Sequence, residues 1–388
     1  MSKQSIIHWT EGDAAHSARW HSETSAAPPS RVVIAGDQTT ADEAYGLACQ
    51  GMALLWRGDF QNAKQLLVAM GRRFDRRSQV RKKTVPAPHD PATAFHLYRQ
   101  TRAQRARALG ALLVELDEDY VMSLRRAPDV RQACREVYGP GAGASVMSLR
   151  TLLGLIGAHE WRSKGIDVAA IGGRIHPHYG VFAPIRSEYL ELLAATPLPA
   201  LTDSLSVAFD IGTGTGVVAA LLARRGIRQV IATDLDARAL ECAAENVLRL
   251  GLAGQVQVQE RDLFPEGLAA LVVCNPPWLP ARPSSAIERG IYDPDGHMLR
   301  EFLKGLPRHL AAGGEGWLIL SDLAEHLGLR SRAELLQAFD AAQLQVIGEH
   351  RVRPTHARAS DTRDPLYQAR AAEVTSLWRL SASPGLNS

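Results

Sequence analysis

Cysteine is scarce in this chain, with four in 388 residues: Cys49, Cys134, Cys242 and Cys274. None forms a C-x-x-C pair, and all sit in apolar or helical-looking stretches. That usage argues against a disulfide framework and for buried free thiols in a reducing cytoplasm. No apolar run approaches the ~20 residues that span a bilayer, so no membrane segment is expected. The opening residues, MSKQSIIHWTEGDAAHSARW, lack the apolar core of a signal peptide, which adds to the expectation of a cytoplasmic protein. Charge of one sign is also missing. A formal net charge of +3 excludes the global basicity of a dedicated nucleic-acid binder. What is present is ordinary for a globular protein, with 46% hydrophobic and 22% charged residues, and the length suggests two domains.

Residues 1–38 are polar and end near SAAPPS, and form a partly ordered N-terminal segment in this reading, with RVVIAGD (31–37) as a short strand. Thr40 and Glu43 have the spacing of a capping box, which opens a helix at about Ala41. Its apolar spacing continues through Leu47, Leu54 and Leu55. A second helix carries Phe60, Ala63, Leu66, Leu67 and Met70, and a basic loop ending in prolines follows. Asp90 and Pro91 open another helix, from Ala92 to about Leu113. Two more are expected at 129–137 and 148–162, so residues 39–165 read as a helical domain. Short β pieces at 166–185 form a linker, and residues 186–388 form the last domain. There, SVAFDI, QVIATD, VQVQE, ALVVCN, GWLILS, LQVIGEH and EVTSLWRL alternate with helices. This predicts an open α/β sheet of seven strands, wound on both faces.

The strongest local signal is VAFDIGTGTGVVAALLA. An apolar strand ends at Asp210, a tight turn carries Gly212, Gly214 and Gly216, and a helix follows at once. Glycines permit positive φ and close approach of the backbone to a ligand. The following helix presents unpaired N–H groups there. The spacing is G-x-G-x-G, not the dinucleotide fingerprint G-x-G-x-x-G. Asp234 ends the second strand, 18 residues after Gly216. A carboxylate there can accept both hydroxyls of a ribose. Asp236 is the neighbouring alternative, and reads better as the cap of the helix that follows.

The fourth strand runs into Asn275, Pro276, Pro277 and Trp278. The prolines stop any sheet ladder and stiffen the loop. An amide or exocyclic amine nitrogen has its lone pair drawn into a π system and is a poor nucleophile. The Asn275 side-chain oxygen and the Pro276 carbonyl can each accept a hydrogen bond from such an NH₂, orienting it and draining charge as it attacks. The Trp278 ring can lie against the flat group.

Together these segments resemble the class I S-adenosylmethionine-dependent methyltransferases, whose motif I matches the turn after Asp210 and whose [DN]-P-P-[FYW] motif matches NPPW. Within that class the resemblance is greatest to the release-factor glutamine N5-methyltransferases. GVFAPIRSEYLELL (180–193) is similar to their linker-to-helix segment, with Pro184, Arg186 and Glu188 near the cofactor. The stretch after NPPW, with Asp295-Gly296 before a helix, is also similar to theirs. The resemblance covers about 180–349, and their usual tyrosine is replaced by Trp278.

It implies a seven-stranded Rossmann-like sheet with the last strand antiparallel, behind a mostly helical N-terminal domain. It also implies S-adenosyl-L-methionine as cofactor. The cofactor set would be Asp210, Gly212, Thr213, Gly214, Gly216, Asp234, Leu235, Asp262, Leu263, Asn275 and Arg186, with Asp262 near the adenine amino group and Leu263 on its face. Asn275, Pro276, Pro277 and Trp278 would hold the acceptor. The implied activity is N-methyl transfer to a planar amide or amine nitrogen, foremost a protein glutamine in a translation factor or ribosomal protein. The alternative is a base amine of RNA or DNA, adenine N6 or guanine N2. Eleven Lys/Arg between Arg72 and Arg107 face only Asp75 and Asp90, a local charge of +9 that can grip phosphates or simply be a solvated face. His176 and His178, at i, i+2 with no Cys or acidic neighbour in sequence, make a poor metal site, and none is expected.

Overall fold

The computed structural model describes residues 5–24, 26–84, 90–185, 188–199, 207–285, 287–354, 361–362 and 364–383, with the backbone alone at 79–84. It falls into two compact units, one of residues up to His89 with Thr93–Glu160, the other of Asp90–Ala92 with residues from Trp161 on.

The first unit is built on a six-stranded sheet, which the expectation of a mostly helical domain leaves out; the helices still make up most of residues 39–165. The strands β1 (Ile6–Glu11) and β2 (Ala14–Trp20) form an antiparallel hairpin across Gly12, and β3 (Val32–Ala35) follows. The three strands of this stretch are therefore part of a sheet, where a polar, partly ordered segment is expected from the sequence. Ile7 and Trp9 point inward from β1 in the alternation of a half-buried strand. Helix α1 (Ala41–Cys49) starts where Thr40 Oγ1 accepts from Glu43 N at 3.3 Å. Gly51, at φ 77°, turns the chain into β4 (Ala53–Trp56), all four residues buried.

Leu54 and Leu55 thus belong to a strand. A short apolar run is compatible with either period, and only its pairing with β3 on one side and β5 on the other decides. Helix α2 (Phe60–Thr84) absorbs the first part of the stretch read as a basic loop, whose Pro86 and Pro88 lie outside the described residues, and α3 (Pro91–Gly110) stops before β5 (Leu112–Leu116). Gly71 leaves room for the Arg105 guanidinium, which pairs with Asp75 at 3.0 Å and ties α2 to α3. Helix α4 (Arg131–Tyr138), β6 (Ser145–Ser148) and α5 (Leu149–Lys164) complete the unit, in the strand order β1-β2-β6-β5-β4-β3.

In the second unit β7 (Ile166–Val168) and β8 (Gly173–Ile175) form a small hairpin, followed by α6 (Glu188–Ala195). Then β9 (Val207–Ile211), α7 (Val217–Arg224), β10 (Gln229–Asp234), α8 (Ala237–Arg249) and β11 (Val256–Glu260) step to one edge. The chain crosses back to β12 (Ala269–Cys274), then continues through α9 (His297–Gly305), β13 (Leu310–Ser321), α10 (Leu323–His326), α11 (Arg332–Ala341), β14 (Leu344–Val352), α12 (Tyr367–Ala372) and β15 (Thr375–Ala382).

The order is β11-β10-β9-β12-β13-β15-β14, parallel from β11 to β13, with β15 antiparallel to both neighbours. Every residue of β12 is buried, as befits a central parallel strand covered on both faces. One face packs on α6 and α7, whose residues Val217–Ala223 are all buried. The other packs on α9 and α11 through Leu299, Phe302, Leu335 and Phe339. The strand order reverses between β9 and β12, and the carboxyl ends of these two strands are where such sheets bind ligands. Among the described residues no helix is long and apolar enough to cross a membrane.

Candidate active site

The turn after β9 has the conformation its glycines predict, with φ 71°, 57° and 78° at Gly212, Gly214 and Gly216. A Cβ on Gly212 would lie 2.8 Å from Met298 Cε, and one on Gly216 would press against the Ala243 backbone at 3.2 Å. One on Gly214 would meet nothing within 4 Å, so that edge of the turn is open. Asp210 is buried at the end of β9, and its Oδ2 accepts from Thr213 Oγ1 at 2.6 Å and from Ala219 N at 3.0 Å. Burial pushes its carboxyl up to about 7, against the pull of those two donors, and the neighbouring Asp234 adds to the rise. The Asp234 carboxyl is also raised by burial, although it accepts from Gly214 N and Asp236 N, both at 3.0 Å. Asp236 caps α8 by accepting from Arg238 N at 2.9 Å.

Thr233 binds the turn to the next loop. Its carbonyl accepts from Thr213 N at 2.8 Å, and its hydroxyl donates to the Leu263 carbonyl at 2.5 Å. Leu263 holds φ 68°, a left-handed value rare for a branched side chain and kept here by that bond. Asp262 beside it is exposed, as is Leu235 after Asp234. Arg261 N bonds the Asp234 carbonyl, so β10 and this loop end at one place. Arg186 lies outside the described residues.

Asn275 follows β12, whose Cys274 pairs with Ile211 of β9, so Asn275 stands level with Gly212 on the adjacent strand. Its Oδ1 accepts from Trp278 Nε1 at 2.9 Å. Pro276 is buried, Pro277 is half-buried, and the half-buried Trp278 ring packs against both hydrophobic clusters of the unit. The loop is clamped further on: Leu279 N donates to Ile291 O at 3.1 Å, and Asp293 N to Leu279 O at 2.9 Å. The nearly buried Asp293 accepts from Met298 N and Leu299 N and so caps α9. That places the cap two residues before Asp295-Gly296.

Other residues support the turn without having been legible. Asn246, fully buried on α8, accepts from His176 N at 2.8 Å and donates to the Thr215 carbonyl at 3.0 Å. His178 meets Glu245 at 3.0 Å, and Glu245 also pairs with Arg162 at 2.6 Å. Both histidines of IHPHYG are thus engaged in structure. Among the described residues no group of His, Cys, Asp and Glu has the arrangement of a metal site. Tyr189 and Cys274, both buried close to Asp210, are held neutral by burial.

Residues 173–348 match the methyltransferase small domain family. A release factor glutamine methyltransferase of Cereibacter sphaeroides is 34% identical over 163 residues, covering 38% of this chain and 57% of that protein. A ribosomal protein uL3 glutamine methyltransferase of Bordetella pertussis is 34% identical over 161 residues, covering 37% and 53%. A tRNA1(Val) (adenine(37)-N6)-methyltransferase of Pedobacter heparinus is 31% identical over 134 residues, covering 31% and 57%. The chain spans little more than half the length of these relatives. The likeness to methyltransferases is thus carried by residues 173–348, which match the small-domain family and include the glycine turn and NPPW.

Proposed function

We propose that the protein is an S-adenosyl-L-methionine-dependent N-methyltransferase acting on a planar amide or amine nitrogen, and that the favoured acceptor is a protein glutamine side chain. One observation carries the reading. Asn275, in a proline-stiffened loop, stands one strand from the glycine turn and its two buried carboxylates at the reversal of strand order.

The donor set suits this cofactor. Asp210 and Asp234 take their hydrogen bonds, among described residues, from a hydroxyl and backbone N–H groups, and burial opposes the charge on both. A ligand carrying sulfonium and ammonium groups would stabilise both as carboxylates. Gly212, Thr213, Gly214 and Gly216 would provide the backbone wall, with Asp210 beneath the methionine part. Asp234 and Leu235 would meet the ribose and adenine edge, Asp262 and Leu263 the adenine, and Arg186 would lie near the same ligand. When bound, the cofactor supplies a methyl to which the acceptor nitrogen bonds as the carbon–sulfur bond breaks, its electron pair leaving on sulfur and the nitrogen's proton passing to water.

The chain's own work is positioning. Asn275 Oδ1 and the Pro276 carbonyl would accept the two hydrogens of the acceptor NH₂, Pro277 would limit movement of the loop, and the Trp278 ring would stack on the group. The glutamine acceptor is supported by the two glutamine methyltransferases above, which would place a translation factor or ribosomal protein as partner. A cytoplasmic setting accords with it.

A base amine in RNA or DNA is the second reading. Helix α2, joined to α3 by the Arg105–Asp75 pair, carries exposed Arg72 and Arg76, which suits phosphate contact. A base would have to leave its stack to enter the slot. The test uses methyl-labelled cofactor, the purified protein and extract from cells lacking it. Label lost only to protease supports the glutamine reading, and label lost only to nuclease favours the base amine. No label in either fraction defeats the proposal of transfer to a macromolecule.

A further inference from the structure

We propose that the indole N–H of Trp278 is a positioning donor that fixes which way round the Asn275 amide stands. The inference rests on the reading of Asn275 as the acceptor-holding residue. An asparagine amide has two orientations of nearly equal shape and opposite hydrogen-bonding sense. With oxygen toward the acceptor NH₂ the contact is attractive, and with nitrogen toward it two donors collide. Backbone stiffness from Pro276 and Pro277 does not decide between them, because the side-chain torsion stays free.

The Trp278 donor decides. Its Nε1 lies 2.9 Å from Asn275 Oδ1, a bond only the oxygen can accept. The ring is itself held, packed between the apolar clusters on the two faces of the sheet. The oxygen keeps a second lone pair, so the same atom can still receive a hydrogen from the acceptor. The reverse orientation would set an amide NH₂ against the indole N–H. A tyrosine or phenylalanine ring carries no donor at the indole position. Trp278 therefore adds to this slot an orienting bond that another aromatic residue would not make, and it favours groups that donate hydrogen over atoms that can only accept.

The test replaces Trp278 with 3-benzothienylalanine, which keeps the two-ring shape and exchanges N–H for sulfur. The initial rate of label transfer into the protein fraction of the extract is measured against cofactor concentration. At saturating cofactor the rate should fall roughly five- to tenfold, the effect of one neutral hydrogen bond, while the cofactor KM stays within about twofold. In the free protein the side-chain NH₂ resonances of Asn275 should shift, which a loss of packing elsewhere would not produce selectively. Trp278→Phe, which also lacks the donor, should lose at least as much rate. An analogue with unchanged rate and unchanged Asn275 resonances overturns the proposal alone. A wild-type protein that transfers no label overturns the reading of Asn275 and the proposal with it.

Discussion

The Asp210 carboxyl gives the sharpest test of the cofactor site. Burial holds it at about 7 in the free protein, and a cationic ligand needs it ionised. At pH 7.5 about three-quarters of the molecules carry the charge, and at pH 5.5 only about 3% do. Cofactor affinity should therefore weaken about 25-fold across that interval, approaching tenfold per unit at its acid end, or ~1.4 kcal/mol per unit. The interval stops at 7.5 because an α-amino group such as the cofactor's begins to lose its own proton near pH 8. Asp59 and Asp129, held near 2 by Arg126 and Arg131, titrate far below it.

The free protein should behave oppositely. A carboxyl raised on folding retains a proton that the unfolded chain has released. Its contribution to stability is thus present below about 4 and is lost as pH climbs to about 7, by up to ~4 kcal/mol. Cofactor titrated by calorimetry between pH 5.5 and 7.5, beside thermal unfolding without it, measures both. Asp210→Asn should flatten the binding profile. Affinity independent of pH in the wild type would refute the placement of Asp210 against a cofactor cation.

Four further outcomes are expected. On the proposed role of Asn275, Asn275→Ala should reduce methyl transfer at least 100-fold while leaving cofactor affinity by calorimetry within about threefold, since the residue would act chiefly on the reacting nitrogen. Gly216→Ala should lower stability in urea by ~2 kcal/mol, because the turn needs φ 78° and the new methyl meets Ala243. Glu315→Ala should cost about 3 kcal/mol in the same assay, as it strands the Arg379 guanidinium between β13 and β15 and the indole N–H of the buried Trp317. Arg72→Glu with Arg76→Glu should leave label transfer to protein nearly unchanged and abolish any transfer to the nuclease-sensitive fraction, and loss of the protein signal would instead place this face in protein recognition.

Legibility in the sequence follows how local each signal is. The turn at Gly212–Gly216 was legible because positive φ after an apolar strand leaves few alternatives to glycine, and NPPW because two prolines must end a ladder. Strand β12 was legible as an unbroken apolar run in a region already alternating with helices. The first unit was not. Ala53–Trp56, Leu112–Leu116 and Ser145–Ser148 are four or five residues each, too short to show a period, and next to α1, α3 and α5 they extend a helical pattern by accident. Their assignment depends on partners distant in the chain, in one case more than a hundred residues away: Arg19 with Ser145, Leu54 with Leu112.

Supporting residues were hidden for the same reason. Asn246 reads as an ordinary polar helix position, and only the return of β8 over α8 gives its amide His176 and Thr215 to bridge. The acceptor lies at the far end of this scale. Every group that would hold a planar NH₂ sits within four residues of β12, and a glutamine amide or an adenine amine offers those four the same two hydrogens. What separates the two must lie beyond the slot, in surfaces that meet the rest of the acceptor. In this chain the strongest such charge is on α2 and α3, within a unit that none of the signals at the turn or at NPPW describes. A search for the acceptor should therefore vary that unit while holding Asn275 and Asp210 fixed.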